Sequence, residues 1–232
     1  MKKTLTLCVL VAAIALTVPA YSQEQSTKPA VPSADAKIKA DAELDKKAAE
    51  WIASLNLNDA QKESRLTNVV ATHLKAVRDW HNEHPASTVP AGINPLTGKP
   101  LSELDRQLIA DSAIPATVHQ ALMMGLQNDL DKNQVNAILD KYTIGKVAFT
   151  MNGYRAIVPN ITPTEEATIL GFLEQAREQA VDYKSMKEIS AIFEIYKTKS
   201  EQYLNANGRN WREMYSAYTA AIKAKKAAEK KP

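Results

Sequence analysis

The chain is predicted to fold as a mainly α multi-helix domain carrying one short β-hairpin over about residues 146–158. Three observations predict this. Apolar residues recur at three- and four-residue spacing over most of the chain. Capping side chains stand repeatedly three residues ahead of Gln or Glu. A single alternating stretch surrounds an Asn-Gly pair, the strongest short-range signal for a tight hairpin turn.

The N-terminus has a different character. Lys2 and Lys3 precede an apolar run from Leu5 to Val18, and Ala20-Tyr21-Ser22 supplies a small-x-small site. That combination reads as a secretory signal peptide, residues 1–22, with cleavage before Gln23. Residues 23–34, rich in Gln, Ser, Thr and Pro, read as a flexible leader. A single helical domain is expected over 35–228 and a disordered tail over 229–232. The sole cysteine, Cys8, lies inside the apolar run. The exported chain therefore has no disulfide, thiol nucleophile or thiolate metal site, and its stability must come from a packed core. The formal charge of +3 falls to +1 without Lys2 and Lys3. The remaining basic residues are interleaved with acids, which argues against a nucleic-acid partner. No stable membrane anchor is expected after cleavage, and the oligomeric state is left open.

In chain order, Leu44, Ala48, Trp51, Ile52 and Leu55 form one helical stripe, and Leu66, Val69, Val70, Leu74, Val77 and Trp80 form a second. Further helices are expected over 102–111, 115–128, 131–142, 162–181, 185–205 and 210–225, with Pro115 in a first turn and Gly208 just past an end. Asn58 with Gln61, Asp131 with Gln134, Thr162 with Glu165 and Asn210 with Glu213 have capping-box spacing. The first three, each preceded by an apolar residue, are also similar to the Leu-Thr-x-x-Gln signature of small periplasmic chaperones. In the hairpin, Val147, Phe149 and Met151 alternate toward Asn152-Gly153, while Tyr154, Ala156 and Val158 alternate away from it.

The candidate site begins at the end of the second helix, where Arg78, Asp79, Trp80, His81, Glu83 and His84 precede a long loop from Pro85 to Leu101. The loop contains Pro90, Pro95, Pro100, Gly92, Asn94 and Gly98, and long irregular connections in compact domains are usually functional or disordered. An indole can stack on a sugar ring while charged groups bond its hydroxyls, so this surface suits an oligosaccharide. Tyr154 and Arg155 on the hairpin, and Trp211 and Arg212 at the start of the last helix, are secondary candidates. Several of these residues also have a purely structural role open to them. His84 would satisfy carbonyls at the helix end, His73 would be a core histidine, and Trp211 would staple its turn to Tyr215 or Tyr218.

Metal binding by His81 and His84, completed by Asp79, Glu83 or His119, matches no recognised zinc spacing, so neither metal nor cofactor is expected. Asp79, Glu83, Asp105 and Asp111 lie near the loop, but sequence distance does not fix the separation of a carboxylate pair, and no acid or base is assigned. There is no Gly-x-Ser-x-Gly, phosphate-binding glycine loop or dinucleotide fingerprint.

Four strings carry a family resemblance: Ala76-Val77-Arg78-Asp79-Trp80-His81-Asn82-Glu83-His84-Pro85; Val89-Pro90-Ala91-Gly92-Ile93-Asn94-Pro95; Lys146-Val147-Ala148-Phe149-Thr150-Met151 with Tyr154; and Tyr203-Leu204-Asn205-Ala206-Asn207-Gly208. They resemble the secreted bacterial family called domain of unknown function 3826, over about Ala48 to Lys225. The resemblance implies a Bacteroidota protein set among genes for breakdown of complex plant polysaccharides, pectin especially. It implies no catalytic residues. The expectation is an exported helical protein that binds or processes pectic oligosaccharides. The alternative from another class is a periplasmic chaperone-like or scaffold protein without enzymatic activity. A metal-dependent enzyme would need stoichiometric metal lost on changing His81 or His84.

Overall fold

A computed structural model describes residues 34–229 apart from Leu96. The predicted signal peptide, the leader before Ala34 and the tail beyond Glu229 lie outside the described residues. Among those residues the chain forms nine α-helices: α1 (Ala34–Ala53), α2 (Ala60–Glu83), α3 (Glu103–Ser112), α4 (Ala116–Asp129), α5 (Lys132–Thr143), α6 (Lys146–Ile157), α7 (Pro163–Ala180), α8 (Met186–Ala206) and α9 (Trp211–Ala228). The mainly α prediction holds. A single turn of 3₁₀-helix, Ala86–Thr88, follows α2. None of the described helices is long and apolar enough to cross a membrane.

The capping chemistry is largely as read. Asp131 with Gln134 and Thr162 with Glu165 form reciprocal capping boxes, as do Ser102 with Asp105 and Ser185 with Glu188. Each satisfies two backbone donors that a helix start leaves without partners. Asn210 completes only half of the arrangement, accepting from the Glu213 amide at 3.2 Å. The predicted cap at Asn58 is displaced by one residue. Asp59 caps α2, accepting from the Lys62 amide at 3.0 Å. Asn58 takes a left-handed conformation at φ 55°, which asparagine tolerates well, so the carboxylate next to it becomes the cap.

The hairpin predicted over 146–158 is overturned, because this segment is helix α6. Val147, Met151 and Tyr154 are its buried residues, with Val158 buried just past its end, and their spacing is a helical stripe. The alternating reading required Phe149 to face inward, but its side chain is 79 % exposed. A two-stranded ribbon would leave its outer backbone groups with no neighbouring strand, whereas the helix satisfies them internally. Asn152 and Gly153 lie within the helix, at the modest propensity cost a glycine carries there. The left-handed pair is instead Ile144 and Gly145, at φ 52° and 64°, which joins α5 to α6. Among the described residues, β pairing amounts to one isolated antiparallel bridge between Ile93 and Pro100 in the proline-rich loop.

Packing divides into two apolar clusters. The first gathers Ile52 of α1, Leu66 and Val70 of α2, Leu122 and Leu126 of α4 and Ile138 of α5. The second gathers Met151 and Tyr154 of α6, Ile169 and Leu173 of α7, and Ile192, Phe193 and Leu204 of α8. The end of α7 is the seam, since Ala180 belongs to the second cluster and its neighbour Val181 to the first. α1 runs antiparallel to α2, held at its exposed side by Lys37 to Asp79 at 3.0 Å and Arg78 to Asp41 at 2.6 Å. Arg209, in the turn between α8 and α9, donates to the carbonyls of Pro159 and Asn160, both at 3.1 Å, and to the Glu165 carboxylate at 2.8 and 2.9 Å. That guanidinium, with backbone donors at the α7 cap, holds the Glu165 pKa down to about 2.

Candidate functional site

The sequence-derived candidates separate into two places, and the structure adds a third. Around the end of α2, Arg78 and Asp79 hydrogen-bond each other at 2.7 Å and are committed to the α1 contacts described above. Arg78 lowers the pKa of the Asp79 carboxyl by hydrogen bonding, with burial opposing and Lys37 assisting. Trp80 donates its indole N–H to the Ala110 carbonyl at 3.0 Å and stacks on His84 with centroids 3.7 Å apart. His84 Nδ1 lies 2.9 Å from the Trp80 carbonyl, the helix-end role anticipated for it. One face of the indole is therefore occupied from within the protein. Glu83 is exposed. Asn94 lies in the loop, where its amide donates to the Lys99 carbonyl at 2.8 Å and its side-chain oxygen accepts from Thr97 at 3.3 Å.

His81 points elsewhere. Its Nδ1 is 3.0 Å from Asp111 Oδ2 and 3.7 Å from Glu188 Oε2. Asp111, at the end of α3, and Glu188, in the first turn of α8, are only 2 % and 4 % exposed. Gln107 Nε2 donates to Asp111 Oδ1 at 2.9 Å and to the His84 carbonyl at 3.1 Å. Ligand atoms of His81, Asp111 and Glu188 all lie within 4.8 Å of one another. Tyr183 is buried nearby, and burial together with the Asp111 charge pushes its phenol pKa up to about 12.

The second place joins candidates that are distant in sequence. Tyr154 of α6 and Trp211 of α9 meet with ring centroids 5.3 Å apart, and Trp211 stacks on Tyr215 at 5.8 Å. Together with Phe149 and Tyr218 they line a cleft of about 580 Å³ between α6, α8 and α9. Its polar lining includes Thr150, Asn152, Lys197 and Glu201. Tyr154 is buried and spends its hydroxyl on the Lys197 carbonyl at 3.1 Å. Trp211 begins α9 and its backbone N–H is anchored by Asn205 Oδ1 at 2.9 Å. Tyr215 is 50 % exposed, so aromatic faces are open to the cleft. The Glu201 carboxyl pKa is raised, first by burial. Arg155 is not part of the lining; its guanidinium is engaged by Glu166 and by the side-chain oxygen of Asn152. Arg212 is exposed and is not part of the cleft lining. Trp211, Tyr215 and Tyr218 follow i, i+4, i+7 spacing, a stripe visible in the sequence. The part of α8 in the cleft had no comparable signal, because Lys197 and Glu201 read as ordinary surface charges.

The third place was not anticipated. Asp182, just beyond α7, accepts from both His73 Nε2 and His119 Nδ1 at 2.9 Å. His73 is the core histidine expected. Asp182 hydrogen bonding raises the His119 pKa above its ordinary 6.5, with burial opposing. Burial pushes the Asp182 pKa up, but the hydrogen bonds from His119 and His73 outweigh it and the net shift is downward. The folded chain thus binds the His119 proton more tightly than the unfolded chain does. That contribution to stability is complete below about pH 6.5 and is lost as pH rises through the raised value. Urea titrations of the wild type and His119→Gln should therefore differ most on the acid side of neutrality and converge in alkali. A difference independent of pH would remove the histidine's proton from the account.

No curated protein matches the chain. Residues 41–224, a span that contains all three of these places, match the family described as Protein of unknown function (DUF3826), and the chain belongs to that family.

Proposed function

We propose that this protein binds neutral oligosaccharides of plant cell-wall origin, pectic side chains among them, in the cleft between α6, α8 and α9. The observation that carries this reading is the row of aromatic rings, Trp211, Tyr215 and Tyr218, along one wall of a cleft of about 580 Å³. That volume suits an oligosaccharide of a few rings. Open aromatic faces accept the C–H faces of pyranose rings. Asn152 and Glu201 offer hydrogen-bonding groups for the hydroxyls between them.

Charge selects within the sugar class. Glu201 is the acid in the lining and Lys197 its cation, and Lys197 is already paired with Glu194 at 2.9 Å. A uronate would meet an unfavourable carboxylate and no uncommitted ammonium. Chemistry is also constrained, because glycoside hydrolysis ordinarily uses two carboxylates across the scissile bond and this lining supplies one. The reading is therefore binding without hydrolysis. The N-terminal sequence supports a site of action outside the cytoplasm.

A thermal-shift panel of the exported chain tests it. Neutral galactan- and arabinan-derived oligosaccharides should raise the melting temperature in a dose-dependent way, and oligogalacturonides should not. A folded protein that responds to no neutral sugar would overturn the proposal.

A further inference from the structure

We infer that His81, Asp111 and Glu188 form a binding site for one divalent transition-metal ion of the zinc class, clamping α2, α3 and α8 together. The first argument is geometric. His81 Nδ1 lies 3.0 Å from Asp111 Oδ2 and 3.7 Å from Glu188 Oε2, and the three ligand atoms fall within 4.8 Å of one another. A tetrahedral ion with bonds of about 2.1 Å sets its ligands about 3.4 Å apart. Side-chain shifts of less than about 1 Å separate the two arrangements.

The second argument is charge. Asp111 and Glu188 are 2 % and 4 % exposed, and neither makes an ion pair with a lysine or arginine among the described residues. Lys184, at the start of the same region, is turned to Asn82 Oδ1 at 2.6 Å. Two buried carboxylates without a full counter-charge are costly to hold ionised. Protonated His81 would neutralise only one of them. A divalent cation neutralises both.

Supporting contacts orient the ligands as metal sites require. Gln107 occupies Asp111 Oδ1 at 2.9 Å, which leaves Oδ2 to the centre. The Ser185 amide fixes Glu188 Oε2 at 2.9 Å. One imidazole nitrogen and two carboxylates suit zinc or manganese. Calcium takes six to eight oxygens, and magnesium keeps several waters, which so buried a site would have to accommodate. None of the three residues lines the aromatic cleft. The ion would act as a fastening between helices rather than as a centre presented to the sugar, and this inference stands independently of that reading.

The test is titration of EDTA-stripped protein with ZnCl₂ and MnCl₂ by calorimetry, with melting temperature as the parallel readout. The wild type should take up one equivalent and melt higher when loaded. Glu188→Gln keeps a capping side chain at the third helical position and should fold, yet bind metal at least ~tenfold more weakly. Asp111→Asn should behave likewise, and His119→Ala should bind as the wild type does. Stripped, folded wild type that takes up neither metal overturns the inference, and so does Glu188→Gln binding with unchanged affinity.

Discussion

Trp211→Ala is expected to weaken oligosaccharide binding about 30-fold, a loss of about 2 kcal/mol typical of an aromatic anchor at the centre of a binding surface. The indole lies between Tyr154 and Tyr215 in the cleft wall. Its removal deletes the ring that spans the two and leaves a gap where a sugar face would rest. Because Trp211 also packs on the second apolar cluster, part of the effect could pass through stability. Tyr215→Ala separates the two contributions. Its ring is 50 % exposed, so truncation should cost little stability while still removing a stacking face. Calorimetric titration of both variants with the best neutral oligosaccharide decides the matter. Unchanged affinity in both would remove the cleft from sugar binding, whatever the fate of the metal site.

Phe193→Ala should be the most destabilising of the substitutions considered, by about 3–5 kcal/mol. The ring is 2 % exposed and sits in the cluster formed by α6, α7 and α8. The Lys146 ammonium lies 5.7 Å from its centroid, so one edge of the site is already closed by a side-chain stem. Truncation leaves a cavity in the cluster that also holds Met151, Leu173 and Ile192, and a close-packed core relaxes into such a void only in part. The adjacent residues Ala180 and Val181 tie the two clusters together at the end of α7, so the two should unfold together. Urea denaturation should then show a lower midpoint with an unchanged slope. A shallower slope would mean that α6 to α8 come apart before the rest.

Local signals in the sequence were legible wherever one helix decides its own fate. The caps at Asp131 and Thr162 need only their own third residue, and both were readable. The segment from Lys146 to Val158 carried two compatible patterns, alternation and a helical stripe. What separates them is the surface of α7 and α8, which completes the core around Met151 and Tyr154 and is invisible to a local reading. The same limit governs the sites. Tyr154 and Trp211 were recognisable as candidates one at a time, but their meeting depends on how α6 and α9 pack. His81 was legible as a polar group near a loop. Asp111 stood out only as an acid near the loop and Glu188 carried no site signal of its own, and only packing of α3 and α8 against α2 brings the three together.

The last helix contributes no fully buried residue, although its aromatic side chains build one wall of the cleft. Such an element can detach at a free-energy cost well below that of unfolding the whole chain. On the proposed reading, binding in the cleft is then coupled to the docking of α9. A ligand that touches both walls binds only the docked fraction, and its apparent affinity is reduced by that fraction. Substitutions that seat α9 more firmly would tighten binding without adding a single contact to the sugar.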